Sequence, residues 1–121
     1  CCEGVDPKYM GLGPAVVIPK ALKQAGIKFE DVHYWEINEA FASQFLGCGV
    51  MLKNDYGMVL DMERCNVNGS GIALGHPVGC TALRICVSLY YEMERSGYTV
   101  GGASVCVGGG PAMASLWTRD V

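Results

Sequence analysis

The chain carries no surplus of positive charge: 9 Lys and Arg stand against 12 Asp and Glu, for a formal net charge of −3. Without a basic excess it cannot neutralise a run of phosphates, which argues against nucleic acid and anionic membrane surfaces as partners. No uncharged run approaches the ~18 to 20 residues of a membrane span, and the first residues lack the basic-then-apolar pattern of a secretory leader. The expectation is a soluble, cytoplasmic protein, with mitochondrion and peroxisome left open. No Cys-x-x-Cys occurs, and neither His33 nor His76 is spaced from a cysteine as structural zinc requires, so no metal site is expected. The seven cysteines form no disulfide framework either, since their number is odd and several lie in the apolar stretches 45–51 and 85–91. Reduced, mostly buried thiols are the expectation. A phosphate cradle is missing too: the loop 66–75 has no Gly-Lys-Ser/Thr, and its glycine spacing misses the dinucleotide fingerprint by one residue.

What is present fits one domain at most, because 121 residues is an ordinary single-domain length. The 17 glycines fall in short runs between apolar segments and so mark turns. Pro14 and Gly26 bracket a first helix, and Pro19 predicts that its regular part starts close to Ile18, because an interior proline removes a hydrogen bond. Residues 32–37, aromatic and β-branched, predict a strand. Residues 40–52 carry no charge and place Phe41, Phe45, Cys48 and Leu52 at helical spacing, which predicts a helix covered on more than one side. A glycine-rich loop, 66–77, then leads to a helix opened by Pro77 and closed by Gly97. Two strand-like runs, 103–107 and 112–118, flank the hairpin signal Gly108-Gly109-Gly110-Pro111. Alternating strands and helices closed by a hairpin predict a mixed α/β sheet. The abrupt opening, and apolar helices too extensive for one small sheet, predict a partner domain or subunit; a self-sufficient small domain is the alternative.

Three residues stand where chemistry would be done. His76 lies between the glycine-rich loop and a helix start, where a neutral imidazole is expected that can accept a thiol proton or donate to an oxyanion; a helix-capping histidine without chemistry is the alternative. His33, inside a strand, reads as structural. Cys106 ends a strand just before three glycines, beside backbone that a ligand can approach closely; a buried strand cysteine is the alternative. Asn38 sits at a strand-to-helix junction, where its amide either orients a water or caps the following helix.

The combination is more specific than any member. Asn38-Glu39-Ala40-Phe41-Ala42, then Asn68-Gly69-Ser70-Gly71-Ile72-Ala73-Leu74-Gly75-His76-Pro77-Val78-Gly79, then Cys106-Val107-Gly108-Gly109-Gly110, in that order, closely resembles the C-terminal half of the thiolase family. Gly4-Val5-Asp6-Pro7, Met10-Gly11 and Gly13-Pro14 extend the resemblance over nearly the whole chain, so that 1–121 reads as one thiolase C-terminal domain, a fragment of a larger enzyme. Departures are modest: Ser70 stands where many thiolases have glycine, Cys80-Thr81-Ala82 where a small-residue triplet ending in glycine is usual, and Pro19 where a non-proline is common. The resemblance implies an α/β half-fold, a mixed sheet in the order βαβαβαββ with its first strand largely truncated and helices on both faces. It implies that His76 activates a nucleophilic cysteine and shares an oxyanion hole with a water held by Asn38. It also implies that Cys106 is the acid/base thiol, that the Gly108 N–H serves a second oxyanion hole, and that Met10 and Phe41 line the acyl pocket. The substrate implied is a coenzyme A thioester, with no other cofactor, in a homo-oligomer. The family's nucleophilic cysteine belongs to the N-terminal half, in a Cys-Ala/Ser-Ser-Gly type motif that no cysteine of this chain shares. The expectation is therefore an acyl-CoA C-acetyltransferase half that is inactive alone and needs an N-terminal half. A ketoacyl-synthase-like enzyme, which relies on two histidines, fits less well because Cys106 stands where one of them would act. A non-catalytic association module is the reading from a different class.

Overall fold

The computed structural model describes residues 1–120. Four strands form one mixed sheet: β1 (Cys2–Gly4), β2 (Tyr34–Ile37), β3 (Val100–Cys106) and β4 (Pro111–Thr118), in the order β1-β4-β3-β2. β2 runs parallel to β3, whereas β3–β4 and β1–β4 are antiparallel. The β3–β4 hairpin turns through Gly108, Gly109 and Gly110, all at positive φ, as the three-glycine signal predicts. The helices are α1 (Gly13–Ala25), α2 (Ala42–Tyr56), the one-turn α3 (Gly71–Leu74) and α4 (Thr81–Ser96).

Alternation along β2 explains why helices cover both faces. Trp35 and Ile37 point into a cluster with Val17, Ile18 and Leu22 of α1 and Phe45, Cys48 and Leu52 of α2. Tyr34 points the other way, into a cluster with Ile85, Leu89 and Met93 of α4. The α/β half-fold expected from the sequence is the fold observed.

Four details differ from expectation, each for a local reason. α1 begins at Gly13 and runs through Pro19 to Gly26, which closes it at φ 67°. Pro19 forfeits an interior hydrogen bond at a cost of about 3 kcal/mol, but Val17 and Ile18, the two residues just before it, are fully buried, each contributing roughly 1.5 to 3 kcal/mol. Packing outweighs the proline. The strand implied between α2 and α4 is reduced to a single parallel bridge, Trp35 to Cys65. Asn66 turns the chain at φ 53°, and its side chain takes the place of a strand partner: Oδ1 accepts from Ile37 N at 2.9 Å and Nδ2 donates to Ile37 O at 2.7 Å. Pro77 does not open α4, which starts at Thr81 after a turn in which Cys80 N donates to Pro77 O. Phe41 precedes α2 in extended conformation and is 66% exposed, so the buried stripe of α2 is Phe45, Cys48 and Leu52 without it. Leu46 and Val50 of α2 are exposed as well, so within this chain α2 is covered on one side.

All seven cysteines are free; Cys48, Cys65 and Cys106 are buried, Cys1 and Cys86 half-buried, and Cys2 and Cys80 exposed, fewer buried than expected. Among the described residues no helix is long and apolar enough to cross a membrane.

Candidate active site

The C-terminal end of β3 opens on an apolar cavity of about 430 Å³. Met10, Phe41, His76, Cys106 and Gly108, drawn from four separate stretches of chain, all lie on its wall. Its titratable groups are His76 and Cys106.

Cys106 is carried there by the central strand, whose ladder continues to its pairing with Ala112. Burial pushes its thiol above the ordinary value, so the sulfur holds its proton more tightly than a free cysteine. His76 is delivered by Gly75, whose φ of 94° and ψ of 163° suit glycine alone. α4 begins five residues beyond His76, so its first turn acts on the imidazole through a side chain. Thr81 Oγ1 gives its single hydrogen to Pro77 O at 2.9 Å and lies 2.6 Å from His76 Nδ1. A hydroxyl that has spent its hydrogen can only accept, so Nδ1 carries the ring proton and Nε2 is left as the acceptor. His33, by contrast, accepts from Val100 N through Nδ1 and stacks on Tyr98, which is a structural role.

Asn38 is not on the cavity wall. It is fully buried just beyond β2, its backbone N–H extending the ladder to Ser104 O at 2.9 Å. Neither side-chain atom of Asn38 has a hydrogen-bond partner, so it does not cap α2; Gln44 Oε1 serves that end by accepting from Ala40 N. Buried unpaired amide atoms are unfavourable by ~1 to 3 kcal/mol each, which makes Asn38 an unusual group to retain on packing grounds.

Sequence reasoning missed the side chains that fasten the Asn38 junction to the His76 loop. Glu39 accepts from Asn66 Nδ2 at 3.0 Å with one oxygen and from Ile72 N at 3.3 Å with the other. Gly71 lies so close that a Cβ would strike the Glu39 carbonyl and come within 3.0 Å of Asn38 Oδ1. Thr81 lies five residues from His76, a separation that neither a helix nor a strand brings together, so no periodicity could have found it. Gly71 was visible as one glycine among many.

Glu36, fully buried on β2, has its carboxyl pushed up to about 7, by burial first, against the Tyr34 hydrogen bond and the Arg84 charge that lower it. In the folded chain it therefore stays protonated up to about pH 7, whereas unfolded it ionises from its ordinary value of 4.5. The unfolded state releases the proton first, so this group's stabilisation is full below pH 4.5 and is lost as pH rises to about 7. Urea unfolding should show stability falling by on the order of 3 kcal/mol across that window, at ~1.4 kcal/mol per pH unit. Glu36→Gln should flatten the slope, and an unchanged slope would contradict the assignment.

The sheet, and the His76–Cys106 cavity at its edge, define a thiolase-type α/β half-fold. The chain belongs to the thiolase C-terminal domain family, whose profile, described as "Thiolase, C-terminal domain", matches residues 1–119. It is 49% identical over 118 residues to a peroxisomal 3-ketoacyl-CoA thiolase 1 of Arabidopsis thaliana, covering 96% of this chain and 25% of the relative. It is 44% identical over 114 residues to a 3-ketoacyl-CoA thiolase of Bacillus subtilis, covering 94% of this chain and 28% of the relative. Among solved structures, the acetyl-CoA acetyltransferase of Syntrophomonas wolfei superposes with a TM-score of 0.97 at 70% identity, over 99% of this chain and 30% of that one. Human mitochondrial 3-ketoacyl-CoA thiolase in complex with CoA superposes with a TM-score of 0.88 at 39% identity, over 99% and 29%. The chain thus spans between a quarter and a third of the length of these relatives.

Proposed function

We propose that the chain is the C-terminal catalytic half of an acyl-CoA C-acetyltransferase, which condenses two acetyl-CoA to acetoacetyl-CoA or cleaves 3-ketoacyl-CoA by thiolysis. The observation that carries the reading is the convergence of Cys106 and His76 on one apolar cavity, with the His76 tautomer set by Thr81.

In acylation the coenzyme A thiolate that leaves takes the Cys106 proton. In condensation Cys106, left as thiolate, removes a proton from the acetyl methyl carbon of a second thioester, and the electron pair passes to the thioester oxygen as an enolate. The enolate carbon then attacks the acyl carbon held as a thioester on the cysteine of the N-terminal half. That C–S bond breaks, and the departing thiolate keeps its electron pair and recovers its proton from His76. His76 Nε2 takes the proton of this cysteine before acylation. Protonated, it donates to the enolate oxygen beside a water held by Asn38, and the Gly108 N–H serves the other oxyanion. Thiolysis is the reverse, with Cys106 returning the proton to carbon. Met10 and Phe41 line the acyl site. Coenzyme A thioesters are substrates, no further cofactor takes part, and the working unit is a cytoplasmic homo-oligomer containing the N-terminal half.

The test is thiolysis of acetoacetyl-CoA by the chain alone and by the chain combined with an N-terminal thiolase half bearing the nucleophilic cysteine. The expected result is no rate above buffer for the first and turnover for the second. Turnover by the chain alone would overturn the division of labour, and no turnover by a folded two-half complex would overturn the catalytic reading.

A further inference from the structure

Tyr34, Glu36 and Asn38 form a row on the face of β2 that meets α4, and all three are fully buried. Tyr34 Oη donates to Glu36 Oε1 at 2.7 Å and accepts from Val67 N at 3.0 Å. From α4, Arg84 Nη2 donates to Ser70 Oγ at 3.2 Å, and Ser70 is itself fully buried. Glu36 Oε2, Arg84 Nε and Arg84 Nη1 are sealed in by this chain's own atoms without a hydrogen-bond partner.

A guanidinium stays charged at any physiological pH, and one buried without a counter-charge is strongly unfavourable. The groups whose fields bear on Glu36 are Tyr34 on its own strand, Glu39 just beyond it, Arg84 and Glu92 on α4, and Cys65 on the bridging segment. Glu39 is engaged by Asn66 and Ile72, and Glu92 by Asn68, Arg95 and Ser96. Glu36 alone of these carboxyls has an oxygen without a hydrogen-bond partner, and the Arg84 charge acts on it through space rather than through a direct ion pair.

Ser70 immediately precedes α3, and its carbonyl accepts from Leu74 N at 2.8 Å. Gly75 and His76 follow directly. Arg84 lies one helical turn beyond Thr81, so the first turns of α4 grip the glycine-rich loop at both ends, Arg84 at Ser70 and Thr81 at His76. We propose that Arg84 is a positioning residue for His76, holding the loop through Ser70 while Glu36 supplies its counter-charge, so that the ionisation of Glu36 and the placement of His76 are coupled. This rests on the reading of His76 as a catalytic group. Burial places the Glu36 carboxyl at about 7. Below that pH Glu36 is neutral, and above it a carboxylate on β2 supplies a charge that acts on Arg84 through space. The grip at that end depends on the Ser70 hydroxyl, at a position where many thiolases have glycine.

The experiment has two arms. In the chain combined with its N-terminal half, Arg84→Met and Ser70→Gly should each lower kcat by roughly 10-fold to 100-fold, the scale of a misplaced catalytic group, with KM nearly unchanged. Arg84→Lys should recover part of the loss, and Glu36→Gln should remove an inflection near neutral pH from the kcat profile. In the chain itself, the NMR signals of the His76 ring should shift in all three neutral variants and lose a second titration step in Glu36→Gln. Where Arg84→Met fails to fold, Ser70→Gly removes only a hydroxyl and decides alone. His76 signals unmoved by folded Ser70→Gly, or a Glu36→Gln pH profile like that of the parent, would overturn the positioning. Ring signals that respond in a complex without thiolysis would instead uphold the positioning and overturn the proposed function.

Discussion

Cys106→Ala is expected to lower thiolysis and condensation by about 10²- to 10⁴-fold, the range contributed by a positioned acid/base. The reason is geometric. Cys106 and His76 are the titratable groups on the cavity wall, and the tautomer held by Thr81 leaves His76 one acceptor nitrogen. In the proposed sequence that nitrogen is committed to activating the N-terminal cysteine, so no second base remains for the methyl carbon when the Cys106 sulfur is removed. The two steps separate by measurement. With the N-terminal half present, Cys106→Ala should still form the acyl-enzyme from acetyl-CoA but should no longer exchange the methyl hydrogens of acetyl-CoA with heavy water. His76→Ala should lose both. Retained methyl exchange in Cys106→Ala would remove Cys106 from its role.

Gly102→Ala is expected to cause a large loss of stability, about 3 kcal/mol or more, the upper range of overpacking. Gly102 pairs in register with Trp35 across β2 and β3, and the Trp35 ring lies over it. A Cβ at this position would come within 2.7 Å of Trp35 Cη2 and closer still to Cζ3 and Cε3. The ring cannot retreat, because it is buried and stacked on Phe29 at 5.8 Å. Gly101 offers the contrast. Its Cβ would meet Met93 Sδ at 2.6 Å and Leu89 Cδ1 at 2.7 Å, and flexible side-chain ends can move. Thermal unfolding should rank Gly102→Ala well below Gly101→Ala, with Gly4→Ala near the parent, since nothing lies within 4 Å of a Cβ there. Equal losses at Gly101 and Gly102 would show that the Trp35 contact is not the cause.

Much of the site was readable because its residues lie at ends of elements. Cys106 before three glycines and His76 before a proline are breaks in pattern, and such breaks mark places where backbone is shaped for something other than packing. Met10, Phe41 and Gly108 followed from the thiolase resemblance, and the cavity brings them together with His76 and Cys106. The supporting side chains were hidden. Thr81, Glu39, Asn66 and Arg84 are ordinary polar residues in their own segments, and each acquires its role from a partner that only folding brings near.

The sequence by itself determined the α/β class, the family, the hairpin and the helix ends at Gly26 and Gly97, because a glycine that must take positive φ and an apolar stripe with a fixed period are local properties. Only the tertiary structure decided that α1 runs through Pro19, that the segment at Cys65 makes one bridge rather than a strand, and that Asn38 is fully buried and off the cavity wall. Each of these outcomes compares a local cost with the burial of distant side chains. The burial term exists only once α1, α2 and α4 have closed on the two faces of the sheet.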